Sequence, residues 1–243
     1  MRGLARRARA PLSTGTGPVL KGSRVWRQRR IALVCPRAGC LYLPVPKAAN
    51  TSIKAALIGH ERGEALPHAF PVHDFESGAL LPWDAAYLYT GFRMSFVRNP
   101  FARLRSCFEN KILAEPETRG TYVDGVHRSF HALGGFRAGM RFEDFVLRVT
   151  QIPDARTDIH FVSQHAILVG ERGLRVDYVG RVERLDEHWA QVCRLLGAEI
   201  PLPHRNRSAG LADDAYRDHY DRRMVRRVER HYAADLALLG YRF

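Results

Sequence analysis

The sequence predicts an α/β fold with a mainly parallel central sheet flanked by helices. Two observations carry that expectation. Apolar runs of strand length alternate with helical patterns, and Gly or Pro residues punctuate the junctions between them. The chain has 243 residues, 46% hydrophobic and 10% aromatic, which suits one domain with a sizeable core. No internal repeat is present.

The elements follow in order. Residues 1–30 hold nine Lys/Arg and no acid, so they are expected to form a disordered, solvated arm. Net charge is +13 overall, which leaves +4 for residues 31–243, the expected single domain. A body this mildly basic argues against a fold-wide nucleic-acid surface. Residues 31–35 and 40–45 read as strands around the turn Pro36-Arg37-Ala38-Gly39. A helix is expected over about residues 51–58, then a loop over 61–82 rich in Pro, Gly and His. Residues 92–97 (FRMSFV) read as a buried strand, and 101–113 as a helix with Pro100 at its tolerated N-terminal position.

Residues 115–139 lack periodicity and read as a lid-like segment. Residues 141–149 form an amphipathic pattern, 174–182 alternate as a strand, and 185–196 read as a helix stopped by Gly197. A final helix is expected over about residues 213–239. Its Arg222, Arg223, Arg226, Arg227 and Arg230 face reads as solvated. The cysteines at 35, 40, 107 and 193 lack C-x-x-C and zinc spacing, so they are expected to be small buried thiols in a reducing compartment. No run approaches the ~20 apolar residues of a bilayer span, and a soluble protein is expected.

Two segments carry chemistry. In LYLPVPKAANTSIKAAL (41–57) an apolar strand runs into Pro46-Lys47-Ala48-Ala49-Asn50-Thr51-Ser52 and then a helix start. Small residues admit an anion to backbone N–H groups, Thr51 and Ser52 add hydroxyl donors, Lys47 adds charge, and the helix N-terminus adds its dipole. It is not a Walker A loop, because G-x-x-x-x-G-K-[ST] is absent. In the second segment, Phe96 through Ser106, a buried strand delivers Arg98 at its C-terminal end, and Ser106 follows two helical turns later. Arginine offers a bidentate fork for phosphate, and serine one hydroxyl.

Together these segments resemble the 5′-phosphosulfate loop and 3′-phosphate motif of sulfotransferases that use 3′-phosphoadenylyl sulfate (PAPS). The likeness is to the carbohydrate group that includes the HNK-1 and chondroitin enzymes. Val45 through Thr51 stand where that family's first motif looks like V-P-K-x-x-x-T. Phe96 through Ser106 stand at F-V-R-x-P-F-x-R-L-x-S, with Asn110-Lys111 as a downstream Asn-Lys. Asp177 through Glu183 resemble D-[FY]-[VI]-G-[KR]-x-E. The resemblance covers about residues 40–243.

The resemblance implies a P-loop-like three-layer fold and transfer of a sulfuryl group from PAPS to a carbohydrate hydroxyl by in-line displacement, without a metal. Lys47 and residues Pro46, Ala48, Ala49, Asn50, Thr51 and Ser52 would hold the 5′-phosphosulfate. Arg98 and Ser106 would hold the 3′-phosphate, and Arg207 and Ser208 would close over the nucleotide. Lys47 would also stabilise charge on the leaving phosphate. A histidine suits the acceptor's base; His73, just before Asp74-Phe75, is the first choice and His68 the reserve. The segment from His160 to His165 is expected beside the acceptor. A glycan is the expected partner. The expected compartment is a bacterial-type cytoplasm, with membrane association as the alternative. The competing functions are a P-loop-type kinase and a polyanion- or nucleic-acid-binding module.

Overall fold

A computed structural model describes residues 31–68, 70, 72, 79–203 and 214–243. The expected basic arm, His73, Arg207 and Ser208 lie outside the described residues. A five-stranded sheet is built from β1 (Ile31–Cys35), β2 (Cys40–Leu43), β3 (Ala79–Pro82), β4 (Phe92–Val97) and β9 (Tyr178–Arg181) in the order β3-β1-β2-β4-β9. The β2–β4 and β4–β9 pairings are parallel, whereas β1–β2 and β1–β3 are antiparallel. The parallel half carries both segments singled out from the sequence, 46–52 and 96–106; the antiparallel half is an edge.

Alternation along the strands explains why both faces are covered. Leu33, Cys35, Tyr42, Met94 and Phe96 pack on one side against helix α1 (Asn50–Arg62) and helix α6 (Leu185–Leu196), through Ile53, Leu57, Trp189 and Val192. Ala32, Val34, Leu41, Leu43 and Val97 pack on the other against Ile167, Leu168, Leu239 and Tyr241. Period-2 patterning with no polar face is what a sheet buried between helices requires. A third cluster joins helix α2 (Pro100–Lys111), helix α3 (Arg128–His131), helix α4 (Phe142–Val149) and helix α7 (Arg222–His231), through Phe101, Leu104, Phe130, Phe145 and Val228.

The first hairpin forms as its turn chemistry demands. Gly39 adopts φ 69° and its N–H donates to the Pro36 carbonyl at 3.2 Å. Glu61 of α1 accepts from the Arg37 and Ala38 N–H groups at 3.0 and 2.9 Å. Cys35 and Cys40 face each other across the register, and all four cysteines are free thiols.

Three expectations need correction. The 61–82 loop ends in strand β3, which pairs with β1; Pro82 is tolerated because this is an edge strand. The 174–182 strand is two pieces. Gly173–Leu174 (β8) closes a small hairpin with Val169–Gly170 (β7) before β9 begins. Between them the Arg175 N–H donates to the Leu168 carbonyl at 2.8 Å and turns the chain. The described part of the long C-terminal helix is broken into a 3₁₀ turn (Ala215–His219), α7 and helix α8 (Ala233–Leu239). Asp221 caps α7 by accepting from the Arg223 and Met224 N–H groups, so a new helix starts there. At the second junction Tyr232 leaves helical geometry (φ −104°, ψ 27°) while its N–H still donates to the Val228 carbonyl; its hydroxyl donates to the Phe161 carbonyl. Among the described residues, no helix is long and apolar enough to cross a membrane.

Candidate anion-binding and transfer site

The cradle sits at the C-terminal end of β2. Lys47 (φ 69°) and Ala49 (φ 53°) are left-handed, with right-handed-side Ala48 between them. The Ala48 N–H donates to the Val45 carbonyl at 3.2 Å and closes the turn that presents Lys47. A non-glycine residue in this conformation costs roughly 1–2 kcal/mol, so the rest of the structure must hold it there. Ala49 is the N-cap of α1, and no side chain caps the helix.

Lys47 Nζ donates to Asn110 Oδ1 at 2.5 Å, so the downstream Asn-Lys of the sequence orients the lysine. Burial pulls the Lys47 ammonium down to about 8; Cys107 and Glu109 oppose it, and the positive charges of Lys111 and Arg98 add to it. Lys111 and Arg98 thus lie close enough to Lys47 to act on its charge, and a region rich in cations favours an anionic ligand.

The second segment starts from β4, the parallel neighbour of β2, with Leu43 opposite Ser95. Arg98 and Lys47 consequently leave the same edge of the sheet. Asn99 Oδ1 accepts from the Phe101 N–H at 3.0 Å and Pro100 opens α2, as expected of that sequence. Ser106 lies in the second turn of α2 and is partly buried.

Several residues fix this geometry, and of them the sequence gives an expected place only to Gln164, beside the acceptor. Arg103 is 2% exposed. Its guanidinium donates to the carbonyls of Pro46 (2.9 Å), Val162 (2.7 Å) and Ile159 (3.2 Å), joining the cradle to the segment around His160. Gln164 is fully buried. It accepts from the Arg98 N–H at 3.0 Å and donates to the Arg98 carbonyl at 2.8 Å, so it clamps that backbone instead of lining an acceptor pocket. Asp235 holds the start of helix α5 (Gln164–Leu168) by accepting from the Gln164 and His165 N–H groups. Burial pushes the Asp235 carboxyl up, against the opposing effect of those two N–H groups. Glu183 accepts from the Asn99 N–H at 2.6 Å and from the Tyr241 hydroxyl at 2.9 Å, tying the 177–183 segment and the C-terminal Tyr241 to the Arg98 turn. The available signal was an arginine or carboxylate placed inside an apolar pattern.

Gly180 in the same segment has a packing reason. A Cβ there would meet the Phe96 ring at 2.4 Å, so β9 can lie beside β4 only without a side chain at that position.

On the other side of Lys47, the lid-like stretch contains the hairpin β5 (Tyr122–Val123) and β6 (Val126–His127), followed by α3. The Tyr122 hydroxyl donates to the Asn110 carbonyl. The rings of Tyr122 and His127 are 5.8 Å apart, and those of His127 and His160 are 5.3 Å apart. His68 is exposed on the loop after α1. The arginine face of α7 is exposed, as expected.

Fold and site together define an α/β protein that brings Lys47 and Arg98 to one edge of its parallel sheet. The chain belongs to the sulfotransferase family, whose model matches residues 30–242. It is similar to carbohydrate sulfotransferase 10 of Homo sapiens, with 26% identity over 238 residues, covering 86% of this chain and 66% of the relative. Carbohydrate sulfotransferase 10 of Gallus gallus is 25% identical over 239 residues, with the same two shares, and that of Danio rerio is 25% identical over 239 residues, with 86% and 65%. The chain thus spans about two thirds of the length of these relatives. No solved structure matches.

Proposed function

We propose that this protein transfers a sulfuryl group from PAPS to a hydroxyl of a carbohydrate acceptor. The observation that carries the reading is the convergence of two anion-binding segments, 46–52 and 98–106, at the ends of adjacent parallel strands. A ligand with two separated anionic groups fits that arrangement better than a single phosphate. Family membership supports the chemistry, and the relatives' name supports a carbohydrate acceptor.

In this reading the N–H groups and hydroxyls of residues 46–52 hold the 5′-phosphosulfate. Arg98 and Ser106 hold the 3′-phosphate, and Arg207 and Ser208 close over the nucleotide. Lys47 leaves Asn110 for the bridging phosphate oxygen, where charge grows as the S–O bond breaks; a cation there favours the transition state over the ground state. His73, with His68 in reserve, would lie on the acceptor side. The three layers around the sheet suit a P-loop-like fold, and transfer proceeds without a metal.

The test is thermal unfolding with 3′-phosphoadenosine 5′-phosphate in the absence of magnesium. Binding to the native state alone raises the melting temperature. An unchanged melting temperature at saturating ligand would remove the basis for the assignment.

A further inference from the structure

We propose that His160, oriented by Asp158, is the general base that takes the proton from the acceptor hydroxyl; the inference rests on the sulfuryl-transfer reading. Arg103 supplies the placement. One guanidinium binds both the Pro46 and the Ile159 carbonyls, and the residues that follow these are Lys47 and His160. The cradle lysine and the histidine are therefore held at one junction, on segments 113 positions apart in the chain.

The pair itself is built for proton transfer. Asp158, with its side chain 1% exposed, accepts from both the N–H of His160 and its ring Nδ1, at 2.9 and 2.5 Å. A carboxylate at Nδ1 fixes the tautomer with the lone pair on Nε2. Among the described residues Nε2 has no hydrogen-bond partner, and the side chain keeps 20% exposure. The rings of His127, at the end of the β5–β6 hairpin, and Phe130 lie 5.3 and 6.0 Å from it.

Charge around the ring gives it a switchable basicity. Burial pulls the imidazole down to about 4; the Asp158 hydrogen bond and charge oppose this, and Lys111 and Lys47 add to it. The free ring is neutral and its lone pair is available. An arriving phosphosulfate compensates Lys47 and Lys111, which raises the proton affinity of His160 when the acceptor must be deprotonated. In the step, the acceptor O–H proton passes to Nε2 and the oxygen forms a bond to sulfur. The bond from sulfur to the bridging phosphate oxygen breaks, its electron pair stays on that oxygen beside Lys47, and the imidazolium later releases its proton to solvent.

The experiment compares wild type, His160→Asn, Asp158→Asn and His73→Asn. Three readouts are taken: melting-temperature shift with 3′-phosphoadenosine 5′-phosphate, transfer from labelled PAPS to the best acceptor of a glycan panel, and release of labelled sulfate to water. The expected result is an unchanged nucleotide shift in His160→Asn with kcat lowered at least ~100-fold, the lower range of general-base contributions. Asp158→Asn should lose less and should alter the tautomer seen by 15N NMR of the ring. If His160→Asn keeps kcat within about threefold of wild type, the inference is overturned, and a large loss in His73→Asn would then locate the base there. If wild type shows no nucleotide shift, the sulfotransferase reading fails instead. Should His160→Asn not fold, wild-type 15N NMR decides. A ring protonated at Nδ1 whose titration midpoint rises with bound nucleotide supports the inference, and a ring protonated at Nε2 or indifferent to nucleotide refutes it.

Discussion

Replacing Arg103 with methionine removes the guanidinium and keeps most of the side-chain volume. Three buried carbonyls, those of Pro46, Val162 and Ile159, lose their donor together. Leaving one buried acceptor unsatisfied costs about 1–3 kcal/mol. The three share a single group, so their costs do not simply add, and removal of a buried charge returns part of its desolvation penalty. A net destabilisation of about 3–5 kcal/mol follows, at the high end for a point substitution. Urea unfolding followed by circular dichroism measures it. Because the Pro46 carbonyl precedes the left-handed Lys47, nucleotide affinity should fall in the folded fraction as well. Arg103→Lys keeps the charge but cannot serve three carbonyls, so it should fall between the two. A loss below ~1 kcal/mol with unchanged nucleotide affinity would refute the claim that Arg103 holds the cradle.

Other expectations follow from individual contacts. The folded-state value of Lys47, about 8, lies below its ordinary one; the stability it contributes is therefore present at high pH and is lost as pH falls through about 8. Lys47→Met should accordingly be more stable than wild type at pH 7, with the difference closing toward pH ~10.5, as urea midpoints across that range would show. An anion that restores the ammonium should take up protons on binding at about pH 8.5, which calorimetry in buffers of different ionisation enthalpy detects. Tyr241→Phe deletes the hydroxyl bound to Glu183 and should cost about 1 kcal/mol in the same unfolding assay. Gly180→Ala forces the buried Phe96 ring aside and should cost about 1–3 kcal/mol; a melting temperature equal to wild type would show that the strands separate freely.

The sequence made the site's outline readable because its parts are local. A strand, a small-residue turn and a helix start are contiguous in 41–57, and the Arg98–Ser106 segment is equally continuous. Their adjacency followed from strands that alternate with helices. Long-range placement was not legible. Arg103 sits inside a motif that accounts for its neighbours, and nothing local says that its three acceptors lie 57, 59 and 56 positions away. Gln164 looked like an acceptor-side residue, but its amide is spent on the Arg98 backbone. The C-terminal segment keeps its 3.6-residue periodicity across Tyr220 and Tyr232, so pattern alone joins helices that Asp221 capping and the non-helical backbone of Tyr232 separate. The β3 strand escaped notice because four residues at a sheet edge, ending in Pro82, carry almost no periodic signal.

The central claim is that one nucleotide spans the 46–52 cradle and the Arg98–Ser106 site. Calorimetric titration with 3′-phosphoadenosine 5′-phosphate and with adenosine 5′-monophosphate, on wild type and Arg98→Ala, tests it most directly. The account predicts that wild type prefers the bisphosphate by at least tenfold and that Arg98→Ala loses the preference while still folding. Equal affinity for the two nucleotides in wild type, or a preference that survives in Arg98→Ala, would contradict it.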